Sequence, residues 1–97
     1  MAKFVMLSTL GPEGMDTLSR RPERIKAVNE EVEKMGAEVL VQYALLGQYD
    51  FLTVLEAPDA ETVARVAVQL GARGTLKTLT MSAMNVDDFV DSVSQAD

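Results

Sequence analysis

Apolar residues in this chain come in two rhythms, and their alternation predicts the elements. Phe4-Val5-Met6-Leu7 is apolar at consecutive positions, the pattern of a short strand covered on both faces. Gly11-Pro12-Glu13-Gly14 then breaks it. From Leu18 to Met35, Leu18, Ile25, Val28, Val32 and Met35 follow at spacings of seven, three, four and three, one stripe of an amphipathic helix. Arg24, Glu30, Glu31 and Lys34 fall on its opposite face, Ser19 and Pro22 near its start, and Gly36 supplies a left-handed stop. Val39 to Leu45 reads as a second strand and Phe51 to Leu55 as a third, joined through Leu46-Gly47-Gln48-Tyr49-Asp50 as a hairpin in which Gly47 takes positive φ. After Ala57-Pro58, Asp59 is placed as an N-cap, Val63, Val66, Ala67 and Leu70 share one face of a second helix, and Gly71 closes it. A last strand runs from Thr75 to Met84.

The order βαββαβ predicts an α+β fold of the ferredoxin-like kind: two right-handed crossovers joined by a hairpin, giving a four-stranded antiparallel sheet. The first and third strands then lie in the centre, and these are the strands richest in uninterrupted apolar residues. Residues 1–84 form this single domain. Residues 85–97 are an acidic tail, or a short docked helix, since Val86, Phe89, Val90 and Val93 keep helical spacing.

Two helices cover one face of such a sheet once. The other face has no polar parity to give to water, because Phe4 and Met6 oppose Val5 and Leu7, and Phe51, Thr53 and Leu55 oppose Leu52 and Val54. A soluble chain covers an apolar face of that size, and a two-fold partner packing sheet on sheet does so most simply. A homodimer through the sheet is therefore expected, with higher assemblies left open. The alternative is the C-terminal segment folding back over the open face. Phe4→Glu is expected to dissociate the dimer or abolish folding.

Composition then removes chemistry. Among the 97 residues there is no histidine and no cysteine, which excludes Ser-His-Asp and Cys-His catalysis, disulfides and zinc–thiolate sites. Nine basic against fifteen acidic side chains leave a net charge of -6, which argues against nucleic acid or an anionic membrane surface as partner. The first residues hold no signal-peptide core and no stretch approaches a membrane span, so a cytoplasmic location is expected. No cofactor and no metal are expected. The six methionines read as core filling, and the run Asp87, Asp88, Asp91 lacks the spacing of a calcium loop.

Gly47-Gln48-Tyr49-Asp50, the strand Phe51 to Leu55 and then Glu56-Ala57-Pro58-Asp59 resemble the GYD-domain family, small bacterial and archaeal proteins named for that hairpin motif. The resemblance takes in Thr9, Gly14, Arg24, Leu70-Gly71, Gly74 and Thr80, and so covers residues 4–84. It implies a subunit of the dimeric α/β-barrel type. Broader relatives of that barrel include cofactor-independent monooxygenases, haem-degrading enzymes, dismutase-like and decarboxylase-like proteins and ligand-sensing regulators, and fold alone does not choose among them. Without histidine the chain lacks the imidazole that many haem-binding relatives use.

The candidate ligand-binding residues are Gly47, Tyr49, Asp50, Thr53, Arg24 and Arg73. Tyr49 and Asp50 offer a phenol and a carboxylate at a strand entry, able to relay a proton or anchor a polar ligand. The competing reading has Asp50 bonding backbone amides of the turn while Tyr49 packs over the sheet edge. Arg73, between Gly71 and Gly74, and Arg24 are suited to grip a carboxylate or phosphate, or else are solvated or ion-paired. Three functions follow: a homodimeric small-molecule-binding or regulatory module with a pocket near the hairpin, a monooxygenase-like enzyme, or a purely structural interaction subunit. An enclosed polar-lined cavity favours the first two over the third.

Overall fold

The computed structural model describes residues 1–74 and 76–95. Strand β1 (Ala2–Leu10) is followed by helices α1 (Pro12–Arg20) and α2 (Arg24–Lys34), the hairpin β2 (Glu38–Ala44) and β3 (Phe51–Ala57), helix α3 (Ala60–Ala72), strand β4 (Leu76–Ala83) and helix α4 (Val86–Gln95). The sheet is antiparallel throughout, in the order β2-β3-β1-β4. The apolar strands β1 and β3 are central, as the pattern predicts.

The long helix expected over Leu18 to Met35 is two helices. Pro22 cannot donate a backbone hydrogen bond and biases Arg21 away from helical geometry, and the chain turns there, with Arg21 at φ -138°. Upstream, the Gly-Pro-Glu-Gly segment expected only to break the strand opens α1, with Pro12 in its first turn and Gly14 its only buried residue. Gly36 takes φ 106° and stops the helical segment. The second predicted helix runs past Gly71 to Ala72, and the left-handed residue is Gly74, at φ 70°. The expected start of the last strand, Thr75, lies outside the described residues.

One face of the sheet builds the core. Phe4 and Met6 of β1 and Leu55 and Ala57 of β3 pack with Val32 of α2, Val63, Val66 and Leu70 of α3, and Leu76. Leu55 is 1% exposed, and burial of a leucine side chain contributes about 1.5–3 kcal/mol. Phe4 belongs to this core, so Phe4→Glu reports on folding rather than on the open face. Asp59 caps α3 as expected, accepting from the Thr62 amide at 2.9 Å and the Thr62 hydroxyl at 2.7 Å.

Strand β2 carries a bulge between Val39 and Val41. Val39 pairs with Leu55 and Gln42 with Thr53, on the helix side, whereas Val41 pairs with Val54 and Tyr43 with Leu52. The extra residue reverses the parity of everything after it. The opposite face therefore collects Val5, Leu7, Val41, Tyr43, Leu52, Val54, Leu79 and Met81. Among the described residues no helix covers it: Tyr43 is 60% exposed and Leu79 47%.

The C-terminal segment does form a helix, but not a docked one. Asn85 caps it by accepting the Asp87 amide at 2.8 Å, and none of its described residues is buried. Val86, Phe89, Val90 and Val93 are all at least half exposed. With α4 standing off the body the radius of gyration is 14.9 Å, against about 12–13 Å for a compact chain of this length.

Candidate functional site

The covered side of the sheet is not solid throughout. At the end where β1 and β4 meet α1 and α2, a cavity of about 150 Å³ opens between Leu10, Phe51 and Leu76 of the strands, Gly14, Thr17 and Leu18 of α1, and Ile25 and Val28 of α2. Arg24 and Arg73 complete its lining. The local sequence explains the opening. Pro22 turns the chain between α1 and α2, and α1 presents Gly14 to the interior, so this helix roofs the cavity without filling it.

Arg24 begins α2, and Arg73 follows the last turn of α3. Arg73 is ion-paired with Glu31 of α2. Arg24 is in no ion pair among the described residues, and it also borders a groove with Arg20 and Arg21. In a chain of net charge -6, this end of the molecule concentrates positive charge over an apolar cavity.

Beneath the cavity, and sharing Ile25, Val28, Phe51 and Leu76 with it, a smaller space of about 20 Å³ reaches Ser8, Asn29, Gln42 and Thr53. The bulge in β2 is what turns Gln42 toward it. The Asn29 amide donates to Gln42 Oε1 at 2.7 Å, and the Gln42 amide donates to Asn29 Oδ1 at 3.2 Å and to Thr53 Oγ1 at 3.0 Å. Thr53 is buried, so the network satisfies polar groups that would otherwise be costly there. Thr80 Oγ1 is buried without a partner.

Of the six candidates from the sequence, the structure brings Arg24 and Arg73 to one cavity and sets Thr53 in the adjoining network. Tyr49, Asp50 and Gly47 lie on the β2–β3 loop and line neither space. Gly47 sits there at φ 125°, a conformation that favours glycine. Asp50 Oδ2 accepts from the Leu10 amide at 2.7 Å, its own amide donates to the Ser8 carbonyl, and its carbonyl accepts from Leu45. Its backbone-bonding reading thus has a geometric basis, although the amide it holds belongs to β1 rather than to the turn. Sequence reasoning missed Asn29 and Glu31. A signal for Asn29 was present, since a polar residue four after Ile25 and three before Val32 interrupts the apolar stripe of α2.

A model of the GYD domain matches residues 4–93. The chain belongs to the GYD-domain family. The match runs into α4 as far as residue 93, beyond the span that the motif residues alone suggest. This GYD-domain chain is 50% identical over 91 residues to the glutamine synthetase and cystathionine beta-lyase binding protein of Thermus thermophilus, covering 93% of this chain and 96% of that one. The crystal structure of TTHA0845, also from Thermus thermophilus, superposes with a TM-score of 0.55 at 23% identity, over 88% of this chain and 95% of that one. That likeness supports the ferredoxin-like α+β fold. Among the described residues, no three acidic side chains converge as a metal site and no helix is long and apolar enough to cross a membrane.

Proposed function

We propose that this GYD-domain protein is a homodimeric regulatory module that binds metabolic enzymes of the glutamine synthetase and cystathionine β-lyase kind. The observation that carries this is the 50% identity, over nearly the full length of both chains, to a protein named for binding those two enzymes. At that level of identity over nearly the whole of both chains the two proteins share one fold, the frame that a common docking surface requires.

Two features support the dimer. The open sheet face holds eight apolar residues, more than a soluble monomer ordinarily leaves to water. Helix α4 adds a second apolar stripe on the same chain, with Asp87, Asp88 and Asp91 on its other side. A second copy covers both surfaces with one isologous interface. The arginine-lined cavity lies on the other side of the sheet and stays available in such a dimer as the place for a small-molecule ligand.

Mixing the purified protein with purified glutamine synthetase and cystathionine β-lyase from its own organism, followed by size-exclusion chromatography with light scattering, tests the reading. The expected result is a dimer that co-elutes with at least one enzyme. Failure to associate with either enzyme overturns the binding role, and a monomeric mass overturns the dimer.

A further inference from the structure

We infer that the cavity beneath α1 is a binding site for a small amphipathic carboxylate: a branched or aromatic apolar body of about six carbons, with its carboxylate held by Arg24 and Arg73. This rests on the reading of the cavity as a ligand site and is independent of enzyme binding.

Size comes first. A cavity of about 150 Å³ lined by leucine, isoleucine and phenylalanine side chains takes a benzene-sized molecule. Here Leu10, Ile25, Val28, Phe51 and Leu76 supply that lining. An isobutyl or phenyl group fills it, and a sugar or nucleobase leaves polar atoms without partners.

Charge selects the other end. The ionisable groups lining the cavity are Arg24 and Arg73, both cationic. A guanidinium holds a carboxylate through two parallel hydrogen bonds, and both arginines line the cavity while staying exposed to solvent, so the charged end of a ligand need not be fully desolvated. A free inorganic anion would leave the apolar walls empty, and an uncharged ligand would leave the Arg24 guanidinium, which has no ion-pair partner among the described residues, unused. Ligand and Glu31 compete for Arg73, because the Glu31 carboxylate already pairs with it. That competition makes a directional prediction: removing the Glu31 charge tightens binding of an anion.

Isothermal titration calorimetry of the full chain with phenylacetate and 4-methylpentanoate, set against phenylacetamide and phenyl phosphate, is the test. The expected result is saturable binding of one acid per chain and none of the amide. Arg24→Met and Arg73→Met, which keep the apolar stems, each weaken binding tenfold or more, whereas Glu31→Gln strengthens it. Leu18→Trp, which fills the cavity from α1, abolishes it. Binding of phenylacetamide or phenyl phosphate in place of the acids leaves the cavity a ligand site and overturns the carboxylate assignment. Binding of no probe overturns both, and acid binding unchanged in both arginine variants overturns the roles of Arg24 and Arg73. All variants lie at least partly exposed, and circular dichroism of each checks its fold.

Discussion

The Asp50 carboxylate accepts the amide of Leu10 at 2.7 Å across 40 residues of sequence. Leu10 is the last residue of β1 and part of the cavity wall. Asp50, the final residue of the Gly-x-Tyr-Asp motif, thereby clamps the β2–β3 loop to the strand that carries the site. Its side chain continues the hydrogen bonding of β1 past Phe51, where β3 begins.

Asp50→Ala removes this acceptor and leaves a partly buried amide unpaired, which costs about 1–3 kcal/mol. Asp50→Asn keeps a carbonyl oxygen for the Leu10 amide and is expected to lose less than half as much. Urea denaturation of the three proteins reads the difference. Equal stabilities for Asp50→Ala and the parent would remove the clamp from the account.

The open sheet face makes a separate prediction. Leu7 of the central strand β1 and Leu79 of the edge strand β4 are neighbours there, and a lysine at either position places a charge in the proposed dimer interface. Leu7→Lys is expected to halve the mass seen by sedimentation equilibrium while circular dichroism stays native-like. Leu79→Lys weakens association less, because an edge position lets the ammonium reach water. A dimer that survives both substitutions is built on some other surface.

Gln42 is the hub of the Asn29–Gln42–Thr53 network. Gln42→Ala strands both partners and is expected to cost about 2–3 kcal/mol, more than one ordinary hydrogen bond. In a double-mutant cycle with Asn29→Ala the losses fall well short of additive, since one interaction is removed in both single variants. Additive losses in urea denaturation would show that the two side chains do not act together.

Asp59 gives the molecule a defined acid sensitivity. The Thr62 hydroxyl and then the Thr62 amide, with help from the Arg65 charge, hold its carboxyl below the usual aspartate range. A carboxyl whose folded-state value is depressed adds stability above its unfolded value and loses it as pH falls through the folded one. The contribution is thus intact at neutral pH and begins to decline as pH falls below about 4, the unfolded aspartate value. Asp59→Ser keeps a capping oxygen without the charge. It is expected to flatten the pH dependence of the melting temperature in that acid window while leaving the neutral value nearly unchanged, whereas Asp59→Ala lowers the neutral value too.

Much of the fold was legible in the sequence because it rests on local physics. Continuous apolar runs mark central strands, a seven-three-four-three stripe marks a helix, and Asp59 three residues before Thr62 marks a cap. The strand order and the apolar second face follow from those patterns, and the Gly-x-Tyr-Asp motif pointed to the family. Tertiary structure alone decided three things. The bulge at Val39/Val41 reverses the faces of half a strand, and strict alternation gives no warning of it because apolar residues stand on both parities. Helix α4 forms as its spacing suggests yet lies undocked, since where an amphipathic helix goes depends on what surface is left to meet it. Arg24 and Arg73, both candidates from the sequence but far apart in it, border one cavity away from the hairpin because α2 and the end of α3 lie on the same face of the sheet, linked by the Arg73–Glu31 ion pair. Side chains meet through packing, and packing is a property of the whole chain.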